Sequence, residues 1–273
     1  MDRQLFQQAF LHARLKVDRA NRHIDEAQQW FRGYLESDFC RIIDGTDAET
    51  GKQSIRAVAE PIPVDVVLSI GDAFHCLNSA LDYVMSGLMR AKTGSATRIS
   101  FPTDKTRNAL RKSFLAPGVD ASGRAKQAPP NRRIMKAFPR IAAKLLTVIK
   151  PYEGGDFALW EVRKADNIDK HNLIIPSITM TQVTALLVDE VHNNRITLTL
   201  RVGAGGIVDG VGYSQGDGSR LEFKDKGKAT ADISFPDGLE VFAGKPVFPT
   251  LLECSKLVSE AIDLIEQSAR RYL

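Results

Sequence analysis

The sequence predicts an α+β protein: an N-terminal helical bundle with a small β-hairpin, packed with a C-terminal antiparallel β module and a closing C-terminal helix. Two observations predict this class. Apolar residues recur at helical spacing up to residue 172 and again after residue 247. Between residues 173 and 246, short β-branched runs are separated by Gly, Asn and Pro-Asp-Gly turns. We therefore expect regions 1–172, 173–246 and 247–273, joined in one connected body.

Composition places the chain among ordinary globular proteins. Its 273 residues are 43% hydrophobic and 26% charged, enough for a core without a disulfide or a metal. The three cysteines are far apart and odd in number, which favours free thiols in a reducing cytoplasm. The apolar runs are short and interrupted by charge, so we expect no membrane span and no membrane partner.

The N-terminal region begins with a long amphipathic helix and a hairpin. Residues 3–36 place apolar side chains at helical spacing against Arg, Gln and Asp. Two β-like runs follow, "FCRIID" and "KQSIRAVAE", with the turn-prone "GTDAETG" between them. This pattern predicts a hairpin near residues 39–60.

A second long helix is predicted from Pro63 to about Lys92. Its apolar residues alternate three and four positions apart, as in a seam between two helices. The residues of this stripe are Phe74, Leu77, Leu81, Val84 and Leu88.

Three shorter helical stretches follow. Residues 103–114 predict a short basic helix with Thr103 as its N-cap. Residues 132–150 resume helical spacing, and Pro139 predicts a kink or a break because proline lacks the N–H that a helix interior needs. Residues 156–171 form the last predicted helix before the β module.

The β module and the closing helix are predicted from a change in periodicity. The candidate strands are "LIIPSITM", "VTALLVDEV", "RITLTLRV", "RLEFK", "ATADISF" and "LEVFAG", which favour an antiparallel meander or a small sandwich. A helix is expected from about Thr250, where Thr250 and Glu253 match the capping-box pattern. One side of this helix is apolar, so we expect it to dock on the N-terminal bundle.

Positive charge is concentrated between Thr103 and Lys150. Twelve Lys and Arg face two Asp there, so the segment carries +10 and the rest of the chain −6. Such a surface suits RNA or another polyanion, although no aromatic interleaving there suggests base stacking, and a solvated helix face is the alternative. The candidate nucleic-acid-binding residues are Arg107, Arg111, Lys112, Arg132, Arg133, Lys136 and Arg140.

Two polar rows are the candidate functional site. In "DNIDKHN", Asp166 and Lys170 lie four residues apart on one helix face, as do Asn167 and His171. Asp169 continues the row of Asp166. On the helix of residues 63–92, a second row comprises His75, Asn78 and Asp82.

If the two helices pack together, these rows permit three arrangements. Two histidines and two carboxylates suit acid–base chemistry, because imidazole titrates near neutral pH, or a metal site. Alternatively, the rows form a buried hydrogen-bond network that sets the helix register. We predict no metal and no cofactor, and take as candidate catalytic residues His171, Asp166, Asp169, Lys170, His75 and Asp82.

Four motifs in residues 70–176 resemble a family of uncharacterised bacterial and phage-associated proteins. They are "HCLNSALDYVMSGL", "FPT", "IKPYEGGD" and "LWEVRKADNIDKHNLIIP", in the order in which that family has an "LRSALDHL"-type helix, "FP", "QPY" and "NxDKHR". Asn172 stands where the family has arginine, and Lys150 where it has glutamine. A role that needs that arginine is therefore not expected here.

A more distant resemblance is to the HEPN helical ribonucleases of toxin and phage-defence systems. Those proteins use an Arg and a His separated by four to six residues on one helix. Here Lys164 has six residues between it and His171, and Arg163 has seven. The resemblance implies RNase activity in a phage-related context.

Two hypotheses follow for function. In the first, the protein is a cytoplasmic, nucleic-acid-associated RNase in which His171 is the general acid/base, Asp166 or Asp169 orients it, and Lys170 or Lys164 stabilises charge on a phosphate. In the second, the protein is a non-catalytic module that binds a protein or small ligand, and the "DKH" cluster is structural. Self-association into a homo-oligomer is left open.

Overall fold

The protein is α+β, with long helices and antiparallel strands. The computed structural model describes residues 1–46, 53–95, 99–115, 130–189, 194–200, 221–223 and 228–273. The chain divides into two compact units. A helical unit comprises Met1–Asp25, Leu68–Ile174 and Pro249–Leu273, and a β-containing unit comprises Glu26–Val67 and Ile175–Phe248.

Three long helices match the predicted periodicity. Helix α1 spans Arg3–Glu36, the predicted range. Helix α2 spans Val64–Thr93 and begins directly after Pro63, whose carbonyl accepts the N–H of Val66. Helix α7 spans Val247–Ala269 and ends in a 3₁₀ turn. Most of the apolar residues that the periodicity assigns to the packed side of each helix are buried, with Trp30 of α1 an exception.

The predicted capping box at the start of α7 is wrong. Thr250 lies inside the helix, which begins at Val247. The preceding residue, Pro246, is still paired with Ser234 in a β-bridge, so the chain leaves the strand pairing and enters the helix within one residue. This pairing explains why α7 begins three residues before Thr250.

The middle of the helical unit is a series of short helices. They are α3 Arg107–Leu115, α4 Pro130–Ala137, α5 Pro139–Lys144, a π-helical turn Leu145–Ile149 and α6 Ala158–Asp169. Pro139 is the first residue of α5, so the predicted break is confirmed.

The predicted N-cap of the short basic helix is wrong. Helix α3 begins at Arg107, four residues after Thr103. Thr106 caps it instead, because its Oγ1 accepts the backbone N–H of Ala109 at 3.2 Å. Both threonines satisfy the residue preference for a cap, and sequence alone does not distinguish them.

The predicted N-terminal hairpin is confirmed. Strand β1, Cys40–Thr46, pairs antiparallel with β2, Gln53–Ala59, and the turn residues 47–52 lie outside the described residues. The Tyr34 hydroxyl donates a hydrogen bond to the Glu60 carbonyl just after β2. Burial raises the pKa of Tyr34 to about 12. The sequence places this hairpin in the helical region, whereas the structure groups it with the β-containing unit.

The C-terminal sheet is built around one long strand. Strand β3, Ser177–Asp189, pairs antiparallel with β4, Asn194–Leu200, on one side. On its other side it pairs with β5, Leu221–Phe223, and β6, Lys228–Ser234. A long central strand with antiparallel neighbours on both sides therefore replaces the predicted meander.

Two strand predictions are wrong in this unit. "LIIPSITM" and "VTALLVDEV" are predicted as separate strands, but one strand, β3, covers the second half of the first and most of the second, with a register shift between Met180 and Gln182. A bulge lets one strand continue past an irregular residue without a turn. "LEVFAG" forms turns instead of a strand, and Phe242 there has a positive φ of 57°.

Helix α2 has the length and composition of a membrane span, although no such span is expected from the sequence. However, 61% of its most apolar window is buried inside the protein. Ile70, Phe74 and Leu77 are fully buried. The core position of α2 accounts for its apolar composition.

Helix α1 packs against α2 and α7 within the helical unit. A Cβ at Gly87 of α2 would lie 2.4 Å from Cβ and 3.1 Å from Cα of Ala9 on α1. Arg14 of α1 forms ion pairs with Asp263 and Glu266 of α7 at 2.8 and 2.5 Å. Contacts of both kinds support a helical core made of chain segments distant in sequence.

We expect Gly87→Ala to lower the free energy of unfolding by about 1–3 kcal/mol, because the new methyl group meets the Ala9 backbone. Gly33→Ala in α1 is the matched control, since a Cβ there meets nothing within 4 Å. It should raise the free energy of unfolding by about 0.5–1 kcal/mol through helix propensity. Urea unfolding measures both, and equal effects would contradict the close approach of α1 and α2.

Candidate functional site

The two predicted polar rows meet in the helical unit. Asp166 is part of α6, is 2% exposed, and accepts three hydrogen bonds, two of them from side chains of α2. His75 Nδ1 is 3.0 Å from its Oδ1, and Asn78 Nδ2 and Lys170 Nζ are each 2.6 Å from its Oδ2. We call these four residues the Asp166 cluster.

Helical spacing explains this convergence. On α2, His75 and Asn78 are three residues apart and so lie on one face. On α6, Asp166 and Lys170 are four apart, and the ion pair between them is an i,i+4 pair. A buried carboxylate is costly unless its oxygens are hydrogen-bonded, and here both oxygens have partners. The cluster therefore satisfies the requirement that burial imposes.

A glycine lets the two helices approach at this point. A Cβ at Gly71, one turn before His75, would lie 2.2 Å from Oδ2 of Asp169. The Asp169 carboxylate occupies that space and its Oδ1 accepts the N–H of Ile174 at 3.4 Å. Burial raises the pKa of Asp169.

The imidazole of His75 is held on one side and open on the other. Its side chain is 50% exposed, while its partner Asp166 is 2% exposed. A carboxylate only accepts hydrogen bonds, so Nδ1 is the donor, and in an uncharged imidazole the other nitrogen, Nε2, is then an acceptor. A buried carboxylate that orients an exposed imidazole is the arrangement that general-base histidines use.

A backbone clamp lies beside the Asp166 cluster. Asp82 Oδ1 accepts the N–H of Phe101 at 2.7 Å, and Arg163 donates to the carbonyl of Phe101 at 3.0 Å. Ser86 Oγ donates to the carbonyl of Ile99 at 2.7 Å. Burial raises the pKa of Asp82, and the Phe101 N–H and the Arg163 charge oppose this rise.

The structure brings together some of the predicted catalytic residues and separates others. His75, Asp166 and Lys170 join in one cluster. Asp82 instead binds the Phe101 backbone. His171 is exposed at the end of α6 and is not among the partners of Asp166, so the predicted convergence of His75, Asp82, Asp166 and His171 is not what the structure shows.

Among the residues that the structure describes, no group of three or more His, Cys, Asp or Glu is arranged to hold a metal ion. The Asp166 cluster contributes one imidazole, one carboxylate, an amide and an ammonium. An ammonium has no lone pair to give a metal, and here it occupies one carboxylate oxygen.

The predicted nucleic-acid-binding residues lie on three successive helices. Helices α3 and α4 are joined by a hydrogen bond from Asn131 Nδ2 to Ser113 Oγ at 2.8 Å. Arg133 is half-buried, and its Nε is buried without a hydrogen-bond partner in the described residues. The exposed members of the predicted set are Arg107, Arg111, Lys112, Arg132, Lys136 and Arg140.

Three contributors are absent from the predicted site list. Asn78 is visible in the sequence as part of the His75 row, and its burial marks it as a partner. Gly71 lies four residues before His75 on the same face, which is a signal for close helix approach. The hydrogen bond from Arg163 to the Phe101 carbonyl joins residues 62 positions apart, so the spacing of residues within one helix could not predict it.

We expect Asp166→Ala to lower the free energy of unfolding by about 1–3 kcal/mol, because the buried amide of Asn78 loses its acceptor. Asp263→Ala is the control. It removes a carboxylate that is 57% exposed and should change stability by at most about 1 kcal/mol. Guanidinium unfolding compares the two variants. Equal small effects would show that the cluster does not stabilise the helical unit.

A pH series tests the buried state of Asp82. The pKa of Asp82 in the folded protein is raised above its usual value of 3.8. The contribution of Asp82 to the free energy of unfolding is therefore largest below pH 3.8, and it falls as the pH rises through the pKa of the folded state. Asp82→Asn keeps an acceptor for the Phe101 N–H and carries no charge. Relative to the unchanged protein, it should therefore gain stability between pH 4 and pH 7 in urea unfolding. A relative loss over that range would contradict a dominant burial effect.

Comparison of the chain with models of protein families, with curated proteins and with solved structures finds no match. The two family resemblances and the activity that they imply therefore stay predictions.

Proposed function

We propose that this protein binds RNA through its basic helices and cleaves it with His75 as general base. One observation carries the proposal: an imidazole that is 50% exposed is held through Nδ1, at 3.0 Å, by a carboxylate that is 2% exposed. The proposal keeps the RNase activity that the HEPN resemblance implies. It moves the acid–base role from His171 to His75.

The first step is removal of a proton from the ribose. His75 Nε2 takes the proton of a 2′-hydroxyl, and the 2′ oxygen attacks the adjacent phosphorus. The 5′ oxygen leaves as a hydroxyl after taking a proton from water, and a 2′,3′-cyclic phosphate remains. The hydroxide left by that water is neutralised by the proton that His75 then releases, which restores the neutral imidazole. Asp166 orients the ring and stabilises the imidazolium that forms.

In this proposal Lys170 binds the phosphate. Its ammonium is 2.6 Å from Asp166 Oδ2 and its side chain is 48% exposed. An ammonium has three N–H donors, so one binds Asp166 and others can reach a non-bridging phosphate oxygen. Charge developing on that oxygen is then stabilised next to the reacting bond.

The basic helices supply affinity for the backbone. Six exposed cations on α3, α4 and α5 form the predicted surface, and neutralising phosphates releases counterions. Binding should therefore weaken steeply with salt. A non-catalytic module is the second candidate, favoured by the same buried, fully paired carboxylate, which a structural network also needs.

The test compares two histidine variants on RNA. Single-stranded RNA and a DNA of the same sequence are incubated with the unchanged protein, His75→Ala and His171→Ala, each with and without EDTA. We expect cleavage of RNA only, with 2′,3′-cyclic ends, insensitive to EDTA, and about 10²–10⁴-fold slower for His75→Ala. DNA lacks the 2′-hydroxyl and should stay intact.

Each other outcome points to a different assignment. Loss of cleavage with His171→Ala instead of His75→Ala would restore the sequence-based assignment. Loss with EDTA would indicate a metal-dependent reaction. Intact RNA in every lane, from protein shown to be folded by circular dichroism, would favour the non-catalytic module.

A further inference from the structure

A cavity of about 570 Å³ lies in the helical unit against α6. Its lining includes Ser100 and Thr103 from the segment before α3, and Trp160, Arg163 and Lys164 from α6. Its volume is in the range of cavities that hold a small organic ligand or cofactor. None of the residues of the Asp166 cluster lines it.

The cavity has a positive lining. Its lining includes two cations, Arg163 and Lys164, and one carboxylate, that of Asp104. The guanidinium of Arg163 is oriented by its hydrogen bond to the Phe101 carbonyl at 3.0 Å. A guanidinium has five N–H donors in a planar fork, so an oriented arginine can still bind two oxygens of a phosphate.

The cavity also has an aromatic wall. Trp160 is stacked on Phe157, with ring centroids 4.8 Å apart and planes 11° apart. This stacking restricts the indole before any ligand arrives. The two aromatic side chains of the basic segment, Phe114 and Phe138, are buried, and the fold supplies a more exposed one from α6. An aromatic ring beside a positive groove is the combination that binds unpaired bases.

The cavity adjoins the proposed reacting centre through one helix. Arg163 lines the cavity, and Asp166, three residues later, holds His75. With a rise of about 1.5 Å per residue, these positions are roughly 4.5 Å apart along the axis of α6. Asn167, which follows Asp166, also lines the cavity. The two features therefore lie on adjacent sides of the same helix turn.

We propose that this cavity holds one unpaired nucleotide of a single-stranded RNA, beside the bond that His75 acts on. The base stacks on Trp160, and the phosphate binds Arg163 and Lys164. This inference rests on the proposed function and names its substrate class: unpaired RNA in preference to a duplex. Single-stranded RNA presents unstacked bases that an aromatic side chain can reach.

Binding is measured separately from cleavage. The probe is a 2′-O-methyl oligouridine, which has no 2′-hydroxyl to attack, and the protein is the full chain. The chain has two tryptophans, and Trp30 is 53% exposed, so Trp30→Phe leaves Trp160 as the fluorophore. We expect saturable quenching of Trp160 fluorescence by the oligonucleotide.

Two variants test the contacts against a matched control. Because Trp160→Leu removes the fluorophore, the affinities of the variants are measured by the fluorescence anisotropy of a dye-labelled form of the same oligonucleotide. Trp160→Leu keeps an apolar side chain and should weaken binding about 5- to 150-fold, equivalent to the roughly 1–3 kcal/mol of base stacking. Lys164→Gln should also weaken binding and lower the magnitude of the slope of log affinity against log salt by about 0.7. Lys256→Gln is the control, because Lys256 is 75% exposed on α7 and its ion pair with Glu260 is long, at 3.9 Å. It should change neither quantity.

The outcomes separate this inference from the proposed function. Folded Trp160→Leu and Lys164→Gln proteins that bind the probe as well as the control would overturn the nucleotide site, whatever happens to cleavage. If uridine monophosphate binds as tightly as the oligonucleotide, the proposal that the ligand is part of an RNA strand is wrong, and the site binds a free nucleotide. Binding that both variants weaken, with no cleavage of ordinary RNA, would keep the site and reject His75 as a general base.

Discussion

The paired burial of one carboxylate organises the helical unit. Asp166 is almost inaccessible to water, and its charge is acceptable there only because α2 provides His75 and Asn78 and α6 provides Lys170. Those contacts determine which faces of α2 and α6 meet and in what register. The orientation of His75 and the position of the cavity along α6 both depend on that register, so stability and the proposed chemistry share one set of hydrogen bonds.

Periodicity predicted the long helices well because their packing repeats over many turns. The range of α1 agrees with the structure, and α2 and α7 differ from their predicted starts by one to three residues. Shorter signals were less informative. Thr103 and Thr250 match cap patterns, yet neither caps a helix, because a cap depends on where the neighbouring chain is held. "LEVFAG" has strand composition and forms turns, since no strand partner is beside it in the described sheet.

Half of the candidate site was visible in the sequence. Spacing on one helix put His75 with Asn78 and Asp166 with Lys170, and packing of the two rows joined them. Spacing had no way to choose between His75 and His171, because that choice depends on which side of α6 faces α2. The Trp160 wall and the Arg163 contact come from residues whose partners are remote in sequence. Long-range proximity was the missing information.

The clamp on Phe101 has a consequence for spectroscopy. Residues 99–102 have no regular secondary structure, yet the Phe101 N–H is bound to a half-buried carboxylate and its carbonyl to a guanidinium. An amide held in this way exchanges its hydrogen only when the surrounding contacts open. Phe101 should therefore give a slowly exchanging amide signal although it lies outside any helix or strand. The exchange rate of that one amide would report how often the hydrogen bonds from α2 and α6 to Phe101 open in solution.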